Sequence, residues 1–203
     1  MNRRHSKLFS STLSILVLLF SSAASAQENR VLALAERMKA AFLTVEDYTC
    51  DVEQVYYDKK EEEDQRFRFK YFFKKGKKIR MDFSYPHTTL TLIYLNRKDY
   101  TTVIPLRALP ALKFQFSLDS SIVKTPTGQK INQTDMEYFI KFIFRNLAEI
   151  KQQKKDFQED QERVNFWFWA RDYLKGKTLE KYRIFLSKEN WFPVRIERYT
   201  LEG

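Results

Sequence analysis

Apolar and polar residues alternate along most of the chain, and this period-two pattern predicts β-strands with one dry face. The clearest example lies in residues 66–74, where Phe67, Phe69, Tyr71 and Phe73 alternate mainly with cationic side chains. Similar segments recur before and after it, so one aromatic face should run across several neighbouring strands. We therefore predict about eight strands, over residues 48–56, 66–74, 79–85, 90–95, 100–104, 164–171, 182–186 and 194–197.

Two other segments, residues 29–45 and 134–150, have apolar residues at helical spacing. This spacing predicts two amphipathic helices, each of which must bury one side against another element. Either Thr134 or Asn132 can cap the second helix, because both side chains can accept a hydrogen bond from a main-chain amide.

The combination of long antiparallel strands with two helices predicts an α+β fold. We expect a highly curved antiparallel sheet that forms an unclosed β-barrel, with the helices covering or plugging it. Residues 106–133 have no clean period and predict an irregular excursion that contains a short strand at 114–118. The mixed-sign charge run at 58–64 predicts a solvated hairpin between the first two strands.

A basic start, an apolar stretch and a small-residue cleavage pattern follow one another within residues 1–26. These are the three parts of a secretory signal peptide. The sequence therefore predicts an exported protein whose mature chain is one domain over residues 27–203. Cleavage removes three of the 36 cationic residues and none of the 26 acidic ones, which lowers the formal net charge from +10 to +7. For an exported chain, this charge favours anionic lipid or acidic protein over nucleic acid as a partner, and it equally fits a charge that only keeps the protein soluble.

Few residues are available for catalysis or metal binding. Cys50 is the only cysteine, which excludes a disulfide framework and a thiolate zinc site. His87 is the only histidine beyond the signal peptide. The two could in principle act as nucleophile and base, but a cysteine within a strand is usually a packed hydrophobe. Phosphate-binding loops and nucleophile-elbow motifs do not occur in the sequence. We predict that the protein is not an enzyme and uses no cofactor or metal.

Aromatic residues make up 16% of the chain, with eighteen Phe and eleven Tyr. Most rings of residues 66–74 point away from the cations of that strand, which argues against stacking on nucleic acid bases. The rings must then fill a core or line a cavity, because each buries about 150–250 Å². A curved sheet has a concave side that two helices need not fill, and the remaining space would suit acyl chains. The composition leaves both interpretations open, a core alone or a core with a cavity.

Three short motifs resemble those of one known family. They are YTCDVEQ at residues 48–54, GKKIRMDFSYP at 76–86 and FPVRIE at 192–197. With the signal peptide and the first helix, they make the chain similar to the LolA-type outer-membrane lipoprotein carriers and lipoprotein-sorting proteins. The resemblance implies an unclosed antiparallel barrel with a helical lid. It also implies a hydrophobic cavity that holds lipoprotein acyl chains during transfer across the periplasm.

The resemblance further implies where the ligand binds. The concave-face residues would be Phe67, Phe69, Tyr71, Phe73, Ile79, Met81, Phe83, Leu90 and Leu92. The lid would contribute Phe139 and Ile143, and the basic residue that latches the lid would be Lys75 or a neighbour within two residues. The implied partners are lipoprotein acyl chains or lipid, together with transfer proteins of the inner or outer membrane.

A second function fits the same alternating pattern. In this alternative, the protein is a sensory or structural periplasmic module with a fully packed core. It would bind an acidic partner through a basic edge that includes Arg66, Arg68 and Lys70. A carrier needs accessible apolar surface inside the fold, whereas this module needs available cations outside it. These two features distinguish the functions.

Overall fold

The computed structural model describes residues 30–57, 64–96, 98–147, 157–171 and 178–199. These residues form two antiparallel sheets and two principal helices. The predicted signal peptide lies outside the described residues, as does nearly all of the hairpin predicted at 58–64.

The first sheet contains six antiparallel strands that follow one another in sequence order. They are β1 (Asp47–Tyr56), β2 (Gln65–Lys74), β3 (Lys78–Tyr85), β4 (Thr91–Tyr94), β5 (Tyr100–Ile104) and β6 (Phe114–Ser117). Because successive strands reverse direction, the β1–β2, β3–β4 and β5–β6 connections share one end of the sheet. We call this the tip end, and the opposite end the base end.

The second sheet contains four antiparallel strands in the spatial order β10, β9, β8, β7. They are β7 (Phe157–Glu159), β8 (Arg163–Arg171), β9 (Leu179–Ser187) and β10 (Pro193–Tyr199). The two central strands bury every second residue, and Phe166, Phe168, Ile184 and Leu186 are almost completely enclosed. The inner face of this sheet is therefore a packed core.

Two helices cover the second sheet. Helix α1 is described over residues 30–44, and helix α2 over Met136–Arg145. Val31 and Met38 of α1 and Ile143 of α2 belong to one buried cluster with the inner residues of β8 and β9. No described helix has the length and apolar character that a membrane-spanning segment needs.

The cap of α2 differs from the prediction. Asp135 caps the helix, and its carboxylate accepts a hydrogen bond from a main-chain N–H of the first turn at 2.8 Å. The predicted caps do not, because Asn132 lies within a preceding 3₁₀ turn at Ile131–Gln133 and Thr134 closes it. The hydroxyl of Thr134 donates to the carbonyl of the first residue in that turn at 2.7 Å. Thr134 has a helical backbone conformation, whereas Asp135 has the extended conformation that an N-cap needs.

The predicted α+β class is confirmed, with antiparallel strands and no closed barrel among the described residues. The strands divide between two sheets instead of running through one. Ten strands are described, against about eight predicted, and the additional ones are β6 and β7. The sequence did indicate β6 as a short strand, but β7 has three residues beside a charged stretch, too few to show alternation.

Candidate functional site

The inner face of the first sheet is a continuous apolar surface. Residues that lie directly opposite one another on neighbouring strands share a face, so the register joins the inner positions into rows. The row at the base end joins Tyr48, Phe73, Ile79 and Tyr94. The next row joins Cys50, Tyr71, Met81, Leu92 and Val103. A row nearer the tip end joins Val52, Phe69 and Phe83.

Nine of the eleven residues predicted to contact a ligand lie together in one cluster on this face. The buried members are Phe69, Tyr71, Phe73, Ile79, Met81 and Leu92. The members that are partly buried and pack against them are Phe67, Phe83 and Leu90. The structure thus assembles these side chains on one surface, and their contact with a ligand stays a prediction.

The other two predicted residues, Phe139 and Ile143, lie elsewhere. Both are on α2, and both belong to the cluster between the helices and the second sheet. The ring of Phe139 stacks on Phe142 with centroids 6.2 Å apart, and Ile143 is enclosed in the core. Helix α2 therefore presents these side chains to the second sheet and does not bring them to the rows of the first.

Burial on the inner face of the first sheet falls from the base end to the tip end. Phe73 and Ile79 at the base end are buried, whereas Phe67 and Phe83 nearer the tip end are only partly buried. The helices meet the sheet at its base end, where the ring of Phe42 from α1 lies 5.7 Å from that of Phe73. Partly exposed apolar side chains are therefore found toward the tip end, around the buried Phe69.

Polar contacts fasten the start of α2 to the base end. Lys77, in the β2–β3 turn, places Nζ 3.3 Å from Oδ2 of the buried Asp135, the N-cap of α2. The Tyr71 hydroxyl lies 3.3 Å from the Thr134 hydroxyl, just before the helix. Burial raises the pKa of Tyr71 well above its ordinary value, so this phenol is neutral and can donate. The base end is closed by these contacts and by Phe42.

The predicted latch residue Lys75 has a different partner. Its Nζ lies 2.7 Å from Oε1 of Glu46, and 3.4 Å from the Leu43 carbonyl at the end of α1. Both charged side chains of this pair are largely exposed, so the pair contributes little to stability. Lys77, two residues further along the same turn, is the lysine that reaches α2.

The edge strands β1 and β10 of the two sheets approach each other near both of their ends. Near their starts, the rings of Tyr48 and Phe192 lie 6.0 Å apart. Near their ends, burial raises the pKa of Tyr56, and the positive charge of Arg198 partly opposes this shift. We call this junction the seam.

Inner side chains reach solvent along the seam. Cys50 lies opposite the buried Tyr71, and Ile196 lies opposite the buried Ile184, so the register places both on inner faces. Cys50 is nevertheless exposed, and Ile196 is 45% exposed. Inner positions of both edge strands therefore reach solvent at the seam, although their neighbours Tyr71 and Ile184 are buried.

Cys50 does not have the environment of a catalytic nucleophile. Partial burial raises the pKa of its thiol, and the neighbouring Asp51 carboxylate raises it further. A reactive thiolate needs the opposite shift. Within the part of the chain that the structure describes, no three His, Cys, Asp or Glu side chains are grouped as a metal site requires.

The basic edge on the outer face of the first sheet is matched by carboxylates. The pairs are Arg68 with Glu53 at 3.0 Å, Arg66 with Asp64 at 3.6 Å and Lys70 with Asp51 at 3.9 Å. All three pairs are exposed, and such pairs add little stability. They do, however, engage the cations that an acidic partner would need.

The sequence prediction missed part of the apolar cluster. Tyr94 and Val103 are buried on the inner face, and they continue the alternation of β4 and β5, so the pattern could have found them. Val123 and Ile131 are also buried there, but they lie in two 3₁₀ turns of the irregular segment between β6 and α2. The sequence has no periodic pattern of apolar residues there that would identify them as buried.

No protein-family model matches the chain, and no curated protein matches it. Among solved structures, the chain is similar to a domain from Vibrio parahaemolyticus assigned to outer membrane lipoprotein sorting. The identity is 18% over 87% of this chain and 74% of that chain, and the TM-score is 0.41. A LolA superfamily protein from Nitrosomonas europaea is 9% identical over 85% of this chain and 73% of that chain, with a TM-score of 0.36.

A third similar structure is that of the CwlD amidase from Clostridioides difficile in complex with the GerS lipoprotein. The identity is 11% over 79% of this chain and 88% of that chain, and the TM-score is 0.28. The first two structures are named for the family that the sequence motifs resemble. At these identities and TM-scores, none of the three bears on the ligand or activity of this protein.

Proposed function

We propose that this protein is a noncatalytic periplasmic carrier or chaperone, which binds acyl chains of lipoproteins or lipids against the inner face of the first sheet. The observation that carries the proposal is the uneven burial of that face. Its rows are buried at the base end but reach solvent toward the tip end and along the seam. A bound acyl chain would cover the part that the helices leave open.

The wall of this site is suited to hydrocarbon. The rings of Phe69 and Phe83 lie 5.0 Å apart, and Phe67 adjoins them toward the tip end. The titratable groups within the rows include the phenols of Tyr48 and Tyr71, and burial raises the pKa of both well above the ordinary value. These phenols are neutral at physiological pH. A neutral aromatic wall favours an apolar ligand over a charged one.

The free energy available is appropriate for a carrier. Each buried methylene contributes about 0.8 kcal/mol, so about ten methylenes contribute about 8 kcal/mol before the cost of ordering the chain. That amount corresponds to micromolar binding at best. A carrier has to release what it binds, and an affinity of this order allows release.

The alternative of a packed sensory or structural module has less support. It needs available cations on the outer face, and Arg66, Arg68 and Lys70 each lie beside a carboxylate. It also needs a filled interior, and Cys50 and Ile196 are inner residues that reach solvent. Salt-sensitive capture of an acidic protein, with no uptake of lipid, would favour the module.

Uptake of a fluorescent fatty acid tests the carrier function. Delipidated protein should bind the probe with one saturable site. The change Phe67→Ser removes a partly buried inner ring, and the lost contact should weaken uptake by about tenfold. The matched control is Phe72→Ser on the same strand, because that ring faces outward beneath Arg80. This control should leave uptake unchanged.

Two results would count against the carrier function, namely no uptake by the unaltered protein or equal losses in both variants. Circular dichroism of each variant checks that the fold is retained. Phe69 is a poorer choice for this test because it is 5% exposed. Its removal would weaken the packing of the sheet as well as the proposed site.

Export as a single domain over residues 27–203 forms part of the proposal. The partners would then be lipoproteins or lipids, together with transfer proteins of the inner or outer membrane. Cell fractionation followed by mass spectrometry should find the protein in the periplasm with Gln27 at its N-terminus. Recovery of uncleaved protein from the cytoplasm would refute export.

A further inference from the structure

Exposed apolar side chains collect at the tip end of the first sheet, beside the inner face, and one of them, Phe114, lies opposite the inner residue Val103. They are Tyr85, Leu106, Leu109, Leu112 and Phe114, with exposed fractions of 52%, 41%, 57%, 42% and 48%. We call this set the tip patch. Four of the five lie in the β5–β6 loop or at the first position of β6, and the fifth ends β3 at the same end of the sheet. A grouped apolar surface of this kind marks an interaction site, whereas isolated exposed residues do not.

Successive turns hold the leucines of the tip patch in place. The N–H of Leu109 donates to the carbonyl of Leu106, and the N–H of Leu112 donates to the carbonyl of Leu109, each at 2.9 Å. The three side chains therefore recur at a fixed spacing of three residues. The loop is held by hydrogen bonds, so the three leucine side chains are exposed in an ordered segment.

Side-chain hydrogen bonds tie this loop to the neighbouring β3–β4 turn. The guanidinium of Arg107 donates to the carbonyl of Phe83 at 2.6 Å. The hydroxyl of Thr89 donates to the carbonyl of Pro105 at 2.7 Å. These bonds hold the β3–β4 turn, which follows Tyr85, against the start of the β5–β6 loop, which carries the leucines.

Among the described residues, cations lie within the tip patch and the nearby carboxylate is already bound. Asp82 interacts with Arg107. Its carboxylate, however, is held by Arg80 and Thr91. Arg107 and Lys113 lie among its apolar residues, and residues 100–118 contain no Asp or Glu. Asp64 lies at the same end of the sheet but beside β2, which is three strand spacings, or about 14 Å, from β5. That separation exceeds the Debye length of about 8 Å at physiological salt.

We propose that the tip patch docks the protein on a bilayer surface that contains anionic lipid. Leu109 and Phe114 would enter the boundary between head groups and acyl chains, while Arg107 and Lys113 would face the lipid phosphates. The ring of Tyr85 suits the same depth, because it joins an apolar body to a polar hydroxyl. A second copy of the chain fits this patch less well, because a two-fold contact would oppose the same cations.

Docking goes beyond the carriage of acyl chains and depends mainly on residues of the β5–β6 loop, although Phe114 also borders the inner face. The inner face carries the proposed ligand site, and the tip patch carries the membrane contact. The two are related by position, because the inner face is uncovered toward the same end of the sheet. A docked protein would turn that opening toward the membrane.

Sedimentation with vesicles tests the docking proposal. Protein purified as the cell processes it is mixed with vesicles of phosphatidylethanolamine and phosphatidylglycerol, or of neutral phosphatidylcholine. The unaltered protein should partition at least about tenfold more strongly onto the anionic vesicles. The joint change Leu109→Ser and Leu112→Ser should lower that partition coefficient by at least about tenfold. Lys113→Gln should lower it by about fivefold.

The matched control is Leu95→Ser, since this leucine is 49% exposed at the base end and should not affect partition. All variants are processed and purified in the same way, so differences in partition arise from the substitutions. The double variant should still take up the fatty acid probe, which separates docking from ligand binding. Docking is overturned if the unaltered protein stays in the supernatant or if the double variant sediments equally. It is also overturned if sedimentation equilibrium shows a dimer that the double variant lacks.

Discussion

The two sheets are built from the same alternating pattern but are covered differently. Helices α1 and α2 lie on the second sheet, and its inner residues Phe166, Phe168 and Ile184 are enclosed. On the first sheet, the helices meet the base end and two 3₁₀ turns add Val123 and Ile131 to the inner cluster, while side chains toward the tip end are only partly buried. Among the described residues, Phe42 is the one that packs against both apolar clusters.

This difference shows that alternation determines which side of a strand is apolar but not what covers it. The inner aromatic residues of the second sheet form a core because two helices lie against them. Those of the first sheet are also largely buried, but Phe67 and Phe83 toward the tip end are only partly covered. Helix α2 does not cover them, because it directs Ile140, Phe142 and Ile143 to the other sheet. The placement of one helix thus separates a structural region from the proposed binding region.

The two sheets also differ in their charged groups. In the second sheet, the buried Glu180 accepts hydrogen bonds from Arg198 at 2.6 and 2.7 Å and from the Tyr182 hydroxyl at 2.8 Å. The outer face of the first sheet carries exposed pairs such as Arg68 with Glu53. Loss of one charged partner should therefore cost more at Glu180 than at an exposed pair such as Arg68 with Glu53.

The largest expected effect is the loss of a ring from the second sheet. Phe168→Ala leaves a cavity in an enclosed core and should lower the free energy of unfolding by about 3–5 kcal/mol. Phe83→Ala on the first sheet should cost about 1 kcal/mol, because that ring is already partly exposed. Urea denaturation measures both changes. Equal losses would show that the first sheet is packed as fully as the second.

Removal of the buried carboxylate should have the next largest effect. Glu180→Gln removes the buried negative charge that binds Arg198 at 2.6 and 2.7 Å and should cost about 3 kcal/mol. The corresponding change on the first sheet, Glu53→Gln, should cost less than about 1 kcal/mol. Thermal unfolding of the two variants compares them. A larger loss of stability for Glu53→Gln would contradict the expectation that the buried pair of the second sheet matters more than the exposed pair of the first.

Loss of the contact between the first sheet and α2 should have a smaller effect on the free energy of unfolding. Lys77→Met leaves the buried Asp135 carboxylate without its cation and should cost about 1–2 kcal/mol. Lys75→Met removes an exposed pair from the same turn and should cost less than about 1 kcal/mol. Hydrogen exchange at the start of α2 should quicken in the first variant alone. If Lys75→Met quickens it instead, the helix is held through Glu46.

The smallest expected effect on stability comes from the loss of the Asp82 carboxylate, and it depends on pH. Partial burial raises the pKa of Asp82, but hydrogen bonds from Arg80 and Thr91 lower it more, and the pKa ends below its ordinary value. A lowered pKa stabilises the fold above about pH 4 and ceases to do so as pH falls through the folded-state value. Asp82→Asn should therefore cost less than about 1 kcal/mol at pH 7, with the difference shrinking below pH 4. Denaturation from pH 3 to 7 checks this, and a difference that grows in acid would contradict it.

The faces of the strands could be predicted from the sequence, and the division into two sheets could not. Phe67, Phe69, Tyr71 and Phe73 share the predicted face because a period of two residues fixes the side of a strand. The break between the sheets depends on contacts between residues distant in sequence. A local pattern carries no information about such contacts.

The lack of information about distant contacts also explains what the sequence could not predict for α2 and the β5–β6 loop. The helical spacing marked Ile143 as buried, but the sheet that buries it depends on how α2 is held, including the contact of Lys77 with Asp135. The leucines of the loop gave no signal, because an irregular segment has no period from which exposure can be inferred. Both features depend on tertiary contacts.

Alkylation of Cys50 tests the central claim most directly. This thiol is the only one in the chain, lies on the inner face opposite Tyr71, and is exposed. At a fixed pH, saturating palmitate should slow its reaction with a maleimide at least about tenfold, because the acyl chain would cover the inner face. A free-thiol peptide in the same solution should react at an unchanged rate. If Cys50 reacts equally fast with and without palmitate, the inner face of the first sheet does not hold acyl chains.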